Sequence, residues 1–149
     1  MKITSSQIKA FRNEGFMILP DFLSSEELTL LREICDKSIR EIEHEMLQRG
    51  VEKDRINVYG KKYFIQNVWK KYDKLQSFIF NNKFAEVCRN TIGDTAYIHN
   101  EQFVVKMKDT QTSFAWHQDS GYSTQGGAAP HRAYLTCWIA LDNMSGILN

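Results

Sequence analysis

The sequence predicts an α+β domain in which helices come first and an antiparallel β region follows. Two well-formed helix starts lie within the first 30 residues. From Thr95 onward the composition turns to Tyr, Phe, Val, Ile, Thr and Trp, the residue types that strands favour. A length of 149 residues with 42% hydrophobic and 25% charged side chains suits one globular unit. We therefore expect a single domain over residues 1–149, of the α+β class.

The first helix is predicted over residues 5–14. Thr4 and Gln7 have the spacing of a capping box, in which each side chain accepts a hydrogen bond from a backbone N–H group at the helix start. Gly15 stands where a left-handed C-terminal cap is needed. After this helix, the apolar run "FMILPDF" predicts a short strand that Pro20 ends.

The second helix is predicted from about residue 25 to the high 40s, ending near Gly50. Ser24 and Glu27 repeat the capping-box spacing. Apolar residues then follow at helical intervals, as expected of a helix with one buried face. They are Leu28, Leu31, Ile34, Cys35, Ile39 and Ile42.

The remaining sequence patterns predict shorter strands and helices. "KYFIQNVW", within residues 51–71, is interpreted as a strand or an extended packing segment. Two short helices follow, the second with Asn82 as its N-terminal cap and Gly93 at its end. "TAYIHNEQFVVKM" and "AYLTCWIAL" are predicted strands, with a Gly-rich loop between them. The apolar positions of the two helices are Leu75, Phe78 and Ile79, then Phe84, Val87, Cys88 and Ile92.

The β region contains too few predicted strands to form a closed jelly roll. A jelly roll uses about eight strands in two sheets, and only three or four can be found before Asn149. The last of them would present an open, apolar edge, which proteins normally avoid. We therefore expect a domain that is incomplete at its C-terminus. Such a chain could also form a homo-oligomer by pairing this edge with another copy.

Charge and composition exclude several classes of partner. The formal net charge is +1, with acids and bases mixed along the chain, so no nucleic-acid or anionic-membrane surface is expected. No segment approaches the ~18 apolar residues of a membrane span, and the N-terminus lacks a secretory signal. We expect a cytoplasmic protein. The three cysteines are odd in number and form no C-x-x-C pair, which predicts reduced, buried thiols.

A candidate metal site lies in "FAWHQDSGY", residues 114–122. His117 and Asp119 are two residues apart, so in an extended chain both side chains leave the same face and can share one ion. Imidazole and carboxylate together suit first-row metals, and a facial set of two His and one carboxylate leaves three positions open on Fe(II). The tripeptide alone is a weak signal, and its alternative is an ordinary surface loop.

The order of all these elements resembles the phytanoyl-CoA dioxygenase family of Fe(II)/2-oxoglutarate-dependent oxygenases, over almost the whole chain. The matching segments are "QIKAFRNEGFMILPDFLSSEELTLLRE", "EQFVVKMKD" leading into "FAWHQDSGY", and "YLTCWIALDNMSGIL". The resemblance implies a double-stranded β-helix, or jelly roll, with helices packed on its outer sheet. It also implies an enzyme that uses Fe(II), 2-oxoglutarate as co-substrate and O2 to hydroxylate a small organic substrate.

The resemblance implies roles for individual residues as well. His117 and Asp119 would be the first two iron ligands, while Trp138 and Phe103 match positions that line the 2-oxoglutarate pocket. For Trp138 the alternative is an ordinary core tryptophan. Because Asp119 is retained, hydroxylation is favoured over the halogenation carried out by related enzymes that lack this carboxylate.

Gln102 and Lys106 are a further prediction for the co-substrate site, made from the strand pattern itself. They lie four residues apart in "EQFVVKMKD" and so share one face of the strand. An amide and an ammonium group on one face can hold a carboxylate if that face points inward. The alternative for both residues is a solvated strand face.

The sequence departs from the family after its last predicted strand. The family's third ligand, a distal His, and the basic residue that pairs with the far carboxylate of 2-oxoglutarate both lie further along, and this sequence stops before either. His131, in the Gly-rich loop, is the only His after Asp119, and we interpret it as a loop or substrate-side residue. We therefore expect the 149-residue chain alone to bind Fe(II) weakly and to turn over little.

Two other functions stay open at this point. A non-catalytic oxygenase half could bind a partner, or a second copy, through the open sheet edge. A cupin-like metal-binding or isomerase domain would share the barrel and the ligands, and would bind metal without responding to 2-oxoglutarate. The substrate is not indicated, because the loop "STQGGAAPHRA" carries no specific charge pattern.

Overall fold

The structure, a computed structural model, describes residues 2–108, 117, 119 and 134–143. Within these residues, helices precede and flank one small sheet. Among the described helices, none combines the length and the hydropathy that a transmembrane helix requires. The elements, in chain order, are α1 (Ser5–Glu14), α2 (Ser25–Gln48), β1 (Lys53–Asp54), β2 (Asn57–Val58), β3 (Lys62–Gln66), a 3-10 helix (Val68–Lys70), α3 (Asp73–Ile79), α4 (Asn82–Thr91) and β4 (Gln102–Lys106).

The helices and the sheet agree with the predicted α+β class. The strands lie in the order β1-β2-β3-β4, and each neighbouring pair is antiparallel. The longest pairing, β3 with β4, places Ile65 opposite Phe103 and Tyr63 opposite Val105. The described strands are fewer than the eight of a jelly roll, so the double-stranded β-helix stays a prediction.

The two capping boxes form as predicted and set the starts of α1 and α2. At α1, the Thr4 hydroxyl accepts from the Gln7 N–H at 3.3 Å, and the Gln7 side chain accepts from the Thr4 N–H at 2.9 Å. At α2, Ser24 and Glu27 exchange the same two bonds, at 3.2 and 2.8 Å. Gly15 ends α1 in the left-handed region, at φ 82°. Both helix predictions are therefore confirmed.

The strand predicted for "FMILPDF" is wrong. Residues 16–19 have no regular structure and lead into a turn at Pro20 and Asp21. The side chains of Phe16 and Ile18 are 57% and 72% exposed, and the carbonyl of Ile18 accepts from the side chain of Gln7. An apolar run becomes a strand only where a neighbouring strand can bond its backbone, and no strand of the described chain lies beside it.

Three further expectations need correction. Of "TAYIHNEQFVVKM", only Gln102–Lys106 forms a strand. In "AYLTCWIAL", residues 134–140 have no strand assignment, because no described strand bonds to them. The N-terminal cap of α4 is Asn81 and not Asn82, since the Asn81 side chain accepts from the N–H groups of Lys83 and Phe84. The strand in "KYFIQNVW" and the two short helices are confirmed.

The hydrophobic core lies between one face of the sheet and the helices. Strand β3 alternates, with Tyr63 and Ile65 buried and Lys62 and Gln66 turned away from the core. Because the side chains of a strand alternate between faces, the core takes only one face of β3 and β4. The buried cluster consists of Leu31, Ile34, Cys35, Tyr63, Ile65, Val68, Leu75, Phe78 and Phe103.

The cysteines differ in their surroundings. Cys35 is buried and Cys88 half-buried, as expected of packing residues, but the expectation fails for Cys137, which is exposed. Burial, followed by the charges of Asp36 and Asp142, raises the pKa of Cys35 to about 11. The Cys35 thiol is therefore protonated and unreactive at neutral pH.

Tyr63 joins the sheet to α2 through a buried hydroxyl group, which donates to the carboxylate of Glu43 and accepts from the Gly60 N–H at 2.6 Å. We expect Tyr63→Phe to lower the free energy of unfolding by about 1–3 kcal/mol at pH 7, because both partners lose their bond. Denaturant unfolding measures this loss. Tyr59→Phe, at a 38% exposed tyrosine nearby, is the control and should change stability little.

The effect of Tyr63 on stability should depend on pH. Burial, then the bond to Glu43, raises the pKa of Tyr63 to about 12. An unfolded tyrosine titrates near 10, so the stabilisation is complete below about pH 10 and is lost as the pH rises through 12. The difference between wild type and Tyr63→Phe should therefore shrink over this range. A difference that is the same at pH 8 and pH 12 would contradict this assignment.

Candidate metal centre

The two predicted metal ligands lie side by side. Nε2 of His117 is 3.4 Å from Oδ1 of Asp119, and the two side chains are 43% and 56% exposed. Protein nitrogen and oxygen ligands bind first-row metals at about 2.0–2.2 Å, so two atoms at this separation can both reach one ion. The pair therefore fits a first-row metal in donor type and in spacing.

The described residues supply two candidate ligands and not a third. No group of three or more His, Cys, Asp and Glu side chains able to hold a metal is found among them. His131 and the Gly-rich loop lie outside the described residues, and so does Trp116 beside His117. The ligand assignment of His117 and Asp119 stays a prediction, now with a geometry that allows it.

The predicted co-substrate residues on β4 lie on opposite faces of the sheet. Gln102 and Lys106 are exposed and are turned away from the core, and the Gln66 amide donates to Gln102 at 3.0 Å. Phe103 lies on the other face, 9% exposed within the buried cluster. Phe103 and the pair Gln102 and Lys106 therefore cannot line the same pocket, because the sheet separates them.

Trp138 lies outside the core. Its side chain is 77% exposed and does not belong to the buried cluster of the described residues. The next residue, Ile139, and Leu141 pack against the buried cluster, whereas Ala140 and Asp142 are exposed. Burial thus alternates over residues 138–142 as in a strand, whereas Thr136 and Cys137 before them are both exposed. The alternation turns Trp138 away from the helices.

The start of β4 is held by the residue before it. The backbone oxygen of Glu101 accepts from the Asn67 N–H at 2.9 Å, and its side chain accepts from the Trp69 N–H at 3.1 Å. Burial raises the pKa of the Glu101 carboxyl group. These bonds connect β4 to the 3-10 helix and so place Gln102. The sequence analysis did not identify Glu101, since its role depends on a contact with residues more than 30 positions earlier.

Arg32 is a second residue that the sequence analysis missed. From the exposed side of α2 it donates to the backbone oxygen of Leu141 at 2.7 Å and to the carboxylate of Asp142 at 3.1 Å. It therefore holds the segment that carries Trp138. Helical periodicity assigns Arg32 to the solvated face, and no local pattern indicates a bond to a residue 109 positions away.

One of three comparisons with known proteins identifies the family of this chain. The family model for phytanoyl-CoA dioxygenase (PhyH) matches residues 11–146, which include α2, the sheet, His117, Asp119 and Trp138. Searches of curated proteins and of solved structures found no significant match. The match covers most of the chain, and the residues it spans contain the candidate iron ligands. The chain therefore belongs to the phytanoyl-CoA dioxygenase family of Fe(II)- and 2-oxoglutarate-dependent oxygenases.

Proposed function

We propose that the protein is a dioxygenase that hydroxylates a small organic substrate, with His117 and Asp119 as two of its iron ligands. The observation that supports this most is the 3.4 Å separation of His117 Nε2 and Asp119 Oδ1, inside a chain of this family. A neutral imidazole and a carboxylate are the ligand types that the facial Fe(II) site of such oxygenases requires.

Each of the two ligands has its own part in this proposal. His117 offers the lone pair of a ring nitrogen, and Asp119 offers a negative charge that compensates part of the charge of the metal. When bound, Fe(II) with 2-oxoglutarate supplies the oxidising chemistry, in which O2 is consumed, 2-oxoglutarate yields succinate and CO2, and the substrate gains a hydroxyl group. The protein positions the reactants and keeps the site dry.

We propose that 2-oxoglutarate binds at the face of the sheet that points away from the helices. Gln102 and Lys106 share that face and can bind a carboxylate, the amide by a hydrogen bond and the ammonium by charge. Trp138 is also turned away from the core and offers a flat apolar wall. Phe103 fits this role less well, and we propose that it supports the site by holding β4 against the core.

The experiment that tests the function measures succinate. The protein expressed from its full reading frame, supplied with Fe(II), 2-oxoglutarate and O2, should convert 2-oxoglutarate to succinate. Omitting either Fe(II) or O2 should stop the reaction. Metal binding with no consumption of 2-oxoglutarate would contradict the proposal and favour a cupin-like metal-binding domain. Loss of metal binding and turnover together would favour a non-catalytic binding module.

A further inference from the structure

The contact between Arg32 and the Trp138 segment consists of two directional bonds. Nε of Arg32 donates to the Leu141 carbonyl at 2.7 Å, while Nη2 donates to the Asp142 carboxylate at 3.1 Å. The planar guanidinium presents these donors in a fixed fork. Two bonds from one rigid group to two successive residues define where that stretch of backbone lies relative to α2.

Among the described residues, the hydrogen bonds to residues 134–143 come from Arg32. These residues have no strand partner within the described chain, so ladder hydrogen bonds do not set their position there. Ile139 and Leu141 pack against the core, but apolar contact is not directional and allows the segment to slide. The bonds from Arg32 are directional and therefore fix the position of the segment along α2.

The contact is better suited to positioning than to overall stability. The side chains of Arg32 and Asp142 are 49% and 83% exposed, and ion pairs this exposed contribute little to folding. Asp36 lies one helical turn from Arg32 and could offer it a local pair, yet the guanidinium is bonded to Leu141 and Asp142. Loss of Arg32 should therefore release this segment and leave the fold intact.

We infer that Arg32 is a positioning residue for the proposed co-substrate site, because it holds the segment that carries Trp138. The inference rests on the proposed function and goes beyond it by assigning a role to a helix residue outside the metal centre. Arg32 is not proposed as a catalytic residue, since it acts on the site only through the segment that it holds.

The test compares Arg32→Ala and Arg32→Lys with Arg40→Ala, an exposed arginine on the same helix, in the protein expressed from its full reading frame. Hydrogen exchange followed by mass spectrometry reports on residues 134–143, and succinate formation gives KM for 2-oxoglutarate and kcat. For Arg32→Ala we expect exchange in this segment to be about 3- to 10-fold faster, with exchange elsewhere and the melting temperature close to wild type.

The change in KM for 2-oxoglutarate should parallel the change in hydrogen exchange. KM for 2-oxoglutarate should rise about 3- to 10-fold in Arg32→Ala, with a smaller change in kcat, because binding geometry is lost while the metal ligands stay. Arg32→Lys keeps the charge without the fork and should fall between wild type and Arg32→Ala. Arg40→Ala should match wild type in both measurements.

Two results would overturn the inference. Unchanged exchange in residues 134–143 of Arg32→Ala would show that this contact does not hold the segment. Faster exchange with an unchanged KM would show that the segment does not position the co-substrate. A wild-type protein that makes no succinate would instead contradict the proposed function, and the exchange measurement would still report whether Arg32 holds the segment.

Discussion

In the protein expressed from its full reading frame, replacing Asp119 with alanine is expected to abolish Fe(II)-dependent formation of succinate. The Asp119 carboxylate lies 3.4 Å from Nε2 of His117, and its removal leaves one described donor at the site. Groups that only orient a ligand already contribute 10- to 100-fold to metal affinity or activity. For the ligand itself we expect turnover to fall at least about 100-fold and Fe(II) affinity at least about 10-fold.

The measurement has a matched control in Asp94→Ala. Asp94 is an exposed carboxylate outside the candidate site, and its loss should leave succinate formation and Fe(II) affinity, followed by calorimetry under anaerobic conditions, at the wild-type level. His117→Ala should behave like Asp119→Ala, with His99→Ala, at an exposed histidine, as its control. Undiminished turnover in Asp119→Ala would show that this carboxylate is not an iron ligand.

Leu75→Ala is expected to cost the protein about 2–5 kcal/mol in free energy of unfolding. Leu75 on α3 is 2% exposed and belongs to the buried cluster with Tyr63 and Phe103. Truncation removes buried apolar surface and leaves a cavity that close-packed neighbours fill only in part. A loss of this size is a large fraction of the stability of a domain this small, so denaturant unfolding should shift clearly.

The control for Leu75→Ala is the same substitution at Leu47. This leucine lies near the end of α2 and is 63% exposed, so its truncation should change the free energy of unfolding by no more than about 0.5 kcal/mol. Equal losses for the two variants would mean that α3 does not pack in the core as described. The comparison of Leu75→Ala with Leu47→Ala therefore tests whether α3 packs in the core beside β3 and β4.

Local patterns in the sequence determined the helices of this protein. The bonds of a capping box join residues three apart, so Thr4 with Gln7 and Ser24 with Glu27 suffice to specify where α1 and α2 begin. The left-handed cap at Gly15 is equally local. The strand at Lys62–Gln66 was one of two interpretations of "KYFIQNVW", and the consecutive apolar residues Tyr63, Phe64 and Ile65 left open which face would be buried.

The candidate site was predictable only in part. The spacing of His117 and Asp119 indicated a shared ion, and their separation of 3.4 Å agrees with it. The pattern of β4 placed Gln102 and Lys106 on one face, but the resemblance assigned the same pocket to Phe103, which the sheet turns to the other side. The sequence pattern shows which residues of one strand share a face. Only the packing of the sheet decides which of the two faces is buried in the core.

Tertiary structure alone decided the elements that depend on distant partners. "FMILPDF" and "AYLTCWIAL" have the composition of strands, yet none of the described strands bonds to either, and a strand exists only through the hydrogen bonds of its neighbour. Arg32 has the position of a solvated helix residue, but the fold brings Leu141 and Asp142 to it from about 110 residues away. The sequence by itself therefore determined the boundaries of α1 and α2 and the closeness of His117 to Asp119, because each depends on residues a few positions apart. The strand pairing, the buried face of the sheet and the attachment of the Trp138 segment depend on contacts that exist only after the chain has folded.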